Sequence, residues 1–202
     1  MPSDPPAPLI LGFDTSGPYC AAALMRGDTL LGACAQSMPR GQAEYLMPMI
    51  QGLMRDHGVD WPDLKAIGVG IGPGNFTGIR IAVSAARGLA LGLEAPAYGV
   101  SGFEARAACG AGLPNVPAPR DHLYLRDANG KVALMPRAQA EQVAQDAGQT
   151  LLPEPDPQDL AIAIARIAAS RWPERADPPA PLYLKPADAA PSSDVPPVLL
   201  DP

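Results

Sequence analysis

The chain has 202 residues, 47% of them apolar and 18% charged, with a formal net charge of −6. That is enough apolar material for a core, but an acidic chain grips phosphate backbones poorly by itself, because that grip comes from Lys and Arg displacing counterions. No apolar run approaches the roughly 18–20 residues of a membrane helix, and residues 1–8 lack the basic and apolar regions of a secretion signal, so a cytoplasmic protein is expected.

In chain order, residues 9–14 (LILGFD) are a short apolar run ending in Thr15-Ser16-Gly17-Pro18, which predicts a buried strand and a turn. Residues 19–26 and 29–36 are apolar stretches joined by Gly27-Asp28, a hairpin signal. Helical spacing follows over 42–57, a strand over 66–71, a second helix over 78–93 and a strand over 97–100. Ser101 is placed to cap a helix over 102–109. The order β-β-β-α-β-α-β-α predicts a mixed sheet covered by helices, an α/β fold in the order of a ribonuclease H-like domain.

Proline divides what remains. Residues 9–112 hold six of the 26 prolines and the other 98 residues hold 20, so long regular elements belong to the first stretch. Residues 122–126 and 131–135 flank Asp127-Ala128-Asn129-Gly130 as a hairpin; 137–147 and 159–170 have helical spacing; 182–184 reads as a closing strand. The expected organisation is a disordered tail over 1–8, a regular lobe over 9–108, a reduced second lobe over 109–188 and a proline-rich tail over 189–202.

Metal and nucleophile chemistry has little material. Cys20, Cys34 and Cys109 form no CxxC pair and read as small buried apolar residues. His57 and His122 lie far apart, so a zinc site is not expected. Two loops are candidates for a nucleotide. Gly72, Gly74 and Gly78, with Asn75 and Thr77 able to cap the helix that follows, allow close backbone approach and an anion at a helix N-terminus. Asp14, Thr15 and Ser16 end the first strand, where an Asp and two hydroxyls can hold Mg²⁺ and a phosphate. Weak ATP or ADP binding with Mg²⁺ is the cofactor expectation, against a purely structural turn.

The two long helices carry a different signal. Leu46, Met47, Met49, Ile50, Leu53 and Met54 span about 160° of the first, and residues 79–93 of the second are apolar over about 200°. A helix on a sheet needs little more than about 100°. The excess predicts a helical association surface, placed at Tyr45, Leu46, Met49, Ile50, Leu53, Ile81, Ala82, Ala85 and Leu89, unless the second lobe covers these helices.

LGFDTS, GVGIGPGNFTGIRIAVSAARGLALGL, PAYGVSGFEA and PLYLKPADAAPSSD resemble the TsaB (YeaZ) family over about half of the chain. The resemblance implies an actin-like ATPase (ASKHA) fold of two ribonuclease H-like lobes and a non-catalytic subunit. Such a subunit pairs through its N-terminal helices with TsaD, which makes N6-threonylcarbamoyladenosine at position 37 of ANN-decoding tRNAs. It further implies TsaE as an ATPase partner, a homodimer when alone, and tRNA contact only through the complex. TsaD holds a metal with histidines on its counterpart of the first helix; here Gln42, Glu44 and Tyr45 stand there. Asn75 replaces the family's Ser, and residues 116–121 (VPAPRD) replace its Asp-Ala-Arg strand, which leaves a nucleotide site between lobes in question. The rival readings are a stand-alone ASKHA phosphotransferase using Asp14 and the glycine loop, and a peptidase using His57 or His122.

Overall fold

The structure, a computed structural model, describes residues 7–184. Strands β1 (Leu9–Asp14), β2 (Tyr19–Arg26), β3 (Thr29–Ser37), β4 (Leu64–Gly70) and β5 (Ala97–Val100) form one sheet in the order β3-β2-β1-β4-β5. β1, β2 and β3 pair antiparallel as a meander, and β4 and β5 join β1 in parallel. Parallel additions need crossovers. Helices α1 (Gln42–Asp56) and α2 (Phe76–Leu93) provide them, and both pack on the same face. The sheet has the ribonuclease H-like order that the periodicities predict.

Side chains alternate across a strand. Leu11, Phe13, Cys20, Ala22, Leu24, Ile67 and Val69 therefore face α1 and α2, while Ile10, Ala21, Ala23, Met25 and Tyr98 face the other way. Every residue of β1 is buried, so the sheet is covered on both sides. The second cover is α5 (Pro157–Arg171), seated through Leu160, Ala161, Ile164, Ala165 and Ala168. Helix α5 falls in the stretch assigned to a second lobe over 109–188, and it packs on the first sheet.

Helix α3 (Gly102–Ala107) follows β5 with Ser101 as its cap, as predicted. The Ser101 hydroxyl accepts from the Glu104 N–H at 3.2 Å, and the Glu104 carboxylate accepts from the Ser101 N–H at 2.9 Å. Between α3 and α5 stands a small unit: β6 (Asn115–Ala118), β7 (His122–Arg126) and β8 (Val132–Pro136), antiparallel in that order, backed by α4 (Arg137–Asp146). Its core is Leu113, Leu123, Leu125, Ala140 and Ala144. Pro117 hides β6 from a reading by propensity; proline is tolerated because β6 is an edge strand, where a missing N–H costs no ladder bond.

Three further expectations change. Residues 182–184 form no strand, and the Leu182 N–H donates to the Ile71 carbonyl at 2.8 Å. Among the described residues one helix, α2, is long and apolar enough to cross a membrane by length and composition, with a mean hydropathy of 1.3 over 18 residues; in this fold it lies on the sheet with Gly78, Ile79, Ala82, Val83 and Ala86 buried. Cys20 is buried but Cys34 is half-buried and Cys109 exposed, so only the first belongs to the core. Of the tail expected over 1–8, Ala7 and Pro8 are described; the tail expected over 189–202 lies outside the described residues.

Candidate functional site

The two loops singled out for a nucleotide do meet, but they meet each other. The Thr15 hydroxyl donates to the Gly78 carbonyl at 2.7 Å, and the Asn75 N–H donates to the Ser16 carbonyl at 2.7 Å. A Cβ added at Gly78 would collide with the Thr15 carbonyl, and one at Gly74 with the Ser16 carbonyl. These glycines admit the protein's own backbone. Asn75 caps α2 as predicted, its Oδ1 accepting from the Gly78 N–H at 2.8 Å, while Thr77 is exposed and lines the groove between α1 and α2. Gly72 accepts from the Gly102 N–H at 2.7 Å and ties the loop to α3.

Asp14 is buried, and its carboxylate is already engaged. Oδ1 accepts from the Ser16 N–H at 3.0 Å; Oδ2 accepts from the Ser16 hydroxyl at 2.8 Å and the Tyr19 hydroxyl at 2.7 Å. An added Cβ at Gly70 would run into the same carboxylate. Asp14, Thr15 and Ser16 thus form a brace joining β1, β2 and the α2 turn. His57, at the end of α1, sits 2.8 Å from the Leu53 carbonyl, and His122 sits 2.7 Å from the Arg120 carbonyl. Among the described residues no three His, Cys, Asp or Glu side chains gather as a metal cluster.

The brace has an alkaline limit. Burial first and the Asp14 carboxylate second push the Cys20 thiol from its ordinary 9.0 up to about 11. The same two causes, in that order, hold the Tyr19 hydroxyl well above 10.0. Both groups keep their protons longer in the folded than in the unfolded chain, so both contributions are complete below pH 9; that of Cys20 is lost as pH rises through about 11, and that of Tyr19 as pH rises through its own raised value. The melting temperature is expected to fall from pH 9 upward, and Cys20→Ala to flatten that fall between pH 9 and 11. A Cys20→Ala profile parallel to that of the unsubstituted chain would rule out the thiol as a contributor.

The association surface divides by residue. Leu46, Ile50, Leu53 and Ala82, expected at a partner contact, are buried in the chain's own core. The apolar arc of each helix is centred on the sheet, and only its flanks reach solvent. Tyr45 is 41% exposed, and Met49, Ile81, Ala85 and Leu89 are half-buried. Three positions were missed: Leu91, 83% exposed, and Gly88 and Gly92, where an added Cβ meets nothing within 4 Å. The signal for the last two was glycine inside a helix on its sheet-distal side, where alanine would be the better helix former. Between the helices runs an apolar groove of about 380 Å³, walled by Leu46 and Met47 of α1 and Ile81 and Ala85 of α2. No contact of α5 or of the small β6–β8 unit roofs these helices among the described residues; α5 lies on the opposite face of the sheet.

With this geometry in hand, the chain can be set beside known proteins. Residues 36–170 match a family described as "TsaD: tRNA N6-adenosine threonylcarbamoyltransferase". The chain is 40% identical over 92 residues to the tRNA threonylcarbamoyladenosine biosynthesis protein TsaB of Escherichia coli, covering 46% of this chain and 39% of that one. It is 34% identical over 110 residues to the Bacillus subtilis TsaB, covering 54% and 48%. The chain thus spans two fifths to one half of the length of these two relatives. An uncharacterized Mycobacterium tuberculosis protein, Rv3421c, is 32% identical over 201 residues, covering 90% of this chain and 94% of its own. Among solved structures, YeaZ from Pseudomonas aeruginosa superposes with a TM-score of 0.64 at 26% identity, over 88% of this chain and all of that one. A second Pseudomonas aeruginosa structure, titled as an uncharacterized protein with similarity to peptidase YEAZ, reaches 0.68 at 27% identity with the same coverage. The sheet order, the glycine-rich turn packed on the first strand and these likenesses together place the chain in the TsaB (YeaZ) family.

Proposed function

We propose that the protein is a non-catalytic scaffold subunit of the assembly that installs N6-threonylcarbamoyladenosine in tRNA, and that it pairs with a TsaD-type subunit through the solvent side of α1 and α2. The observation that carries the reading is that side itself. Tyr45, Met47, Met49, Ile81, Ala85, Leu89 and Leu91 present apolar surface beside Gly88 and Gly92, and the sheet they rest on already has its other cover in α5. Exposed apolar patches of this kind mark association sites, and small residues let a second helix approach closely. The engaged Asp14 carboxylate favours a supporting role over phosphate chemistry. A net charge of −6 fits tRNA binding that a partner provides, in the cytoplasm where tRNA is modified. In this reading a second copy occupies the same side when no partner is present, and TsaE joins the paired complex.

The test is co-elution with a TsaD-type subunit, together with transfer of threonylcarbamoyl to tRNA. The chain alone is expected to show no turnover and to support it when paired. Ala85→Arg, which places a charge on the half-buried flank of α2, is expected to abolish both pairing and support while the monomer stays folded. Turnover by the isolated chain, or unaltered co-elution of Ala85→Arg, would overturn the proposal.

A further inference from the structure

Residues 179–184 run across the N-terminal end of α2 in irregular conformation. The Leu182 N–H bonds to the Ile71 carbonyl. The Tyr183 ring stacks on Phe76 with centroids 5.0 Å apart, and the Arg80 guanidinium lies 4.0 Å over Phe76 while its Nε donates to the Tyr183 hydroxyl at 2.9 Å. Arg80 also lines the groove between α1 and α2. The contacts that hold this strap therefore deliver the chain, at Leu184, to one end of the apolar groove.

Eighteen residues follow, 185–202. They carry Asp188, Asp194 and Asp201 against the single Lys185, and their bulkier aliphatic residues are Val195, Val198, Leu199 and Leu200. The charged residues of α2 are Arg80 and Arg87, both exposed. Tail and helix are thus complementary in charge, and the apolar end of the one matches the apolar walls of the other.

We propose that residues 195–200 occupy the α1–α2 groove of their own chain and so guard the surface invoked above for a partner, on which reading this inference rests. Reach is no obstacle. The eleven residues from Leu184 to Val195 span up to about 36 Å when extended, whereas the stretch of α2 from Arg80 to Ala85 is about 8 Å long. Tethering raises the local concentration of the segment to the order of millimolar, so a contact too weak to hold a free peptide still holds a linked one. Pro196 and Pro197 reduce the backbone freedom lost on docking. A partner must displace the segment, and binding is weakened by the fraction of groove already filled.

The experiment places the photo-crosslinker p-benzoylphenylalanine at Leu199 of the full chain and irradiates an equal mixture of ¹⁵N-labelled and unlabelled protein, with tryptic peptides read by mass spectrometry. Expected are crosslinks to residues 41–55 or 81–87 within one isotope. Crosslinks joining heavy to light chains, crosslinks elsewhere, or none would overturn the inference. A second measurement compares affinity for a TsaD-type subunit: the chain ending at Leu184 is expected to bind at least about tenfold more tightly than the full chain, and equal affinities would overturn the guarding role. Failure of the partner reading looks different, since neither form then binds, and the crosslink still decides whether the groove is filled.

Discussion

Replacing Gly88 by tryptophan is expected to weaken pairing with a TsaD-type subunit by about 10- to 100-fold while leaving the monomer folded. The basis is a contrast within one position. Glycine inside a helix costs about 0.5–1 kcal/mol relative to alanine, and α2 carries two such residues one turn apart, Gly88 and Gly92. Neither is required by its own chain, because an added Cβ at either site meets nothing within 4 Å. Gly88→Ala is therefore expected to stabilise the monomer by about 0.5–1 kcal/mol. An indole at the same place projects from the solvent side of α2 and, against a second helix, overpacks the contact by about 1.4–2.7 kcal/mol, inside the usual range for overpacking, which is the 10- to 100-fold loss. Thermal melts and titration calorimetry separate the two effects. Gly88→Trp protein that binds the partner like the unsubstituted chain would remove this side of α2 from the interface.

A larger effect on stability is expected from Gly12→Val. Gly12 on β1 lies opposite Gly68 on β4 in the parallel register. A Cβ at Gly12 would stand 2.6 Å from the Ala165 nitrogen, 2.7 Å from the Ala165 Cβ and 2.8 Å from the Ala161 carbonyl; at Gly68 it would stand 2.8 Å from the Ile164 carbonyl and 2.9 Å from the Ala168 Cβ. None of these atoms can swing aside, since they are backbone or the first side-chain carbon. Relief requires lifting α5 off the sheet, which exposes Leu160, Ala161, Ile164 and Ala165 together. A loss of about 3 kcal/mol is expected, a large share of the roughly 5–15 kcal/mol that holds a domain. Urea unfolding measures it, with Gly12→Ala falling between the two. A Gly12→Val midpoint equal to that of the unsubstituted chain would mean that α5 does not rest on these glycines.

Neighbouring residues set the elements, and so the sequence was a good guide to them. The apolar run over 9–14, the Gly27-Asp28 turn, the helical spacing of α1 and α2 and the Ser101 cap each depend on residues a few positions apart. The complete burial of β1 even requires two covers, although nothing local says which segment is the second. The same limit governs the site. Asp14-Thr15-Ser16 and the glycines from 72 to 78 announce a close approach of something to the backbone; that it is the other loop, and that Tyr19 completes the brace, depends on contacts up to 63 residues apart in sequence.

What the sequence by itself determined is the strand and helix order from β1 to α3, the family and the excess of apolar surface on two helices, because periodicity and motif are properties of adjacent residues. What only the tertiary structure decided is how that surface is shared. Leu46, Ile50, Leu53 and Ala82 went to the core, and the flanks with Tyr45, Ala85 and Gly88 stayed outside. A helical arc records how much apolar area exists, but which degrees of it meet a sheet is set by the rotation of the helix in its packing, a long-range quantity.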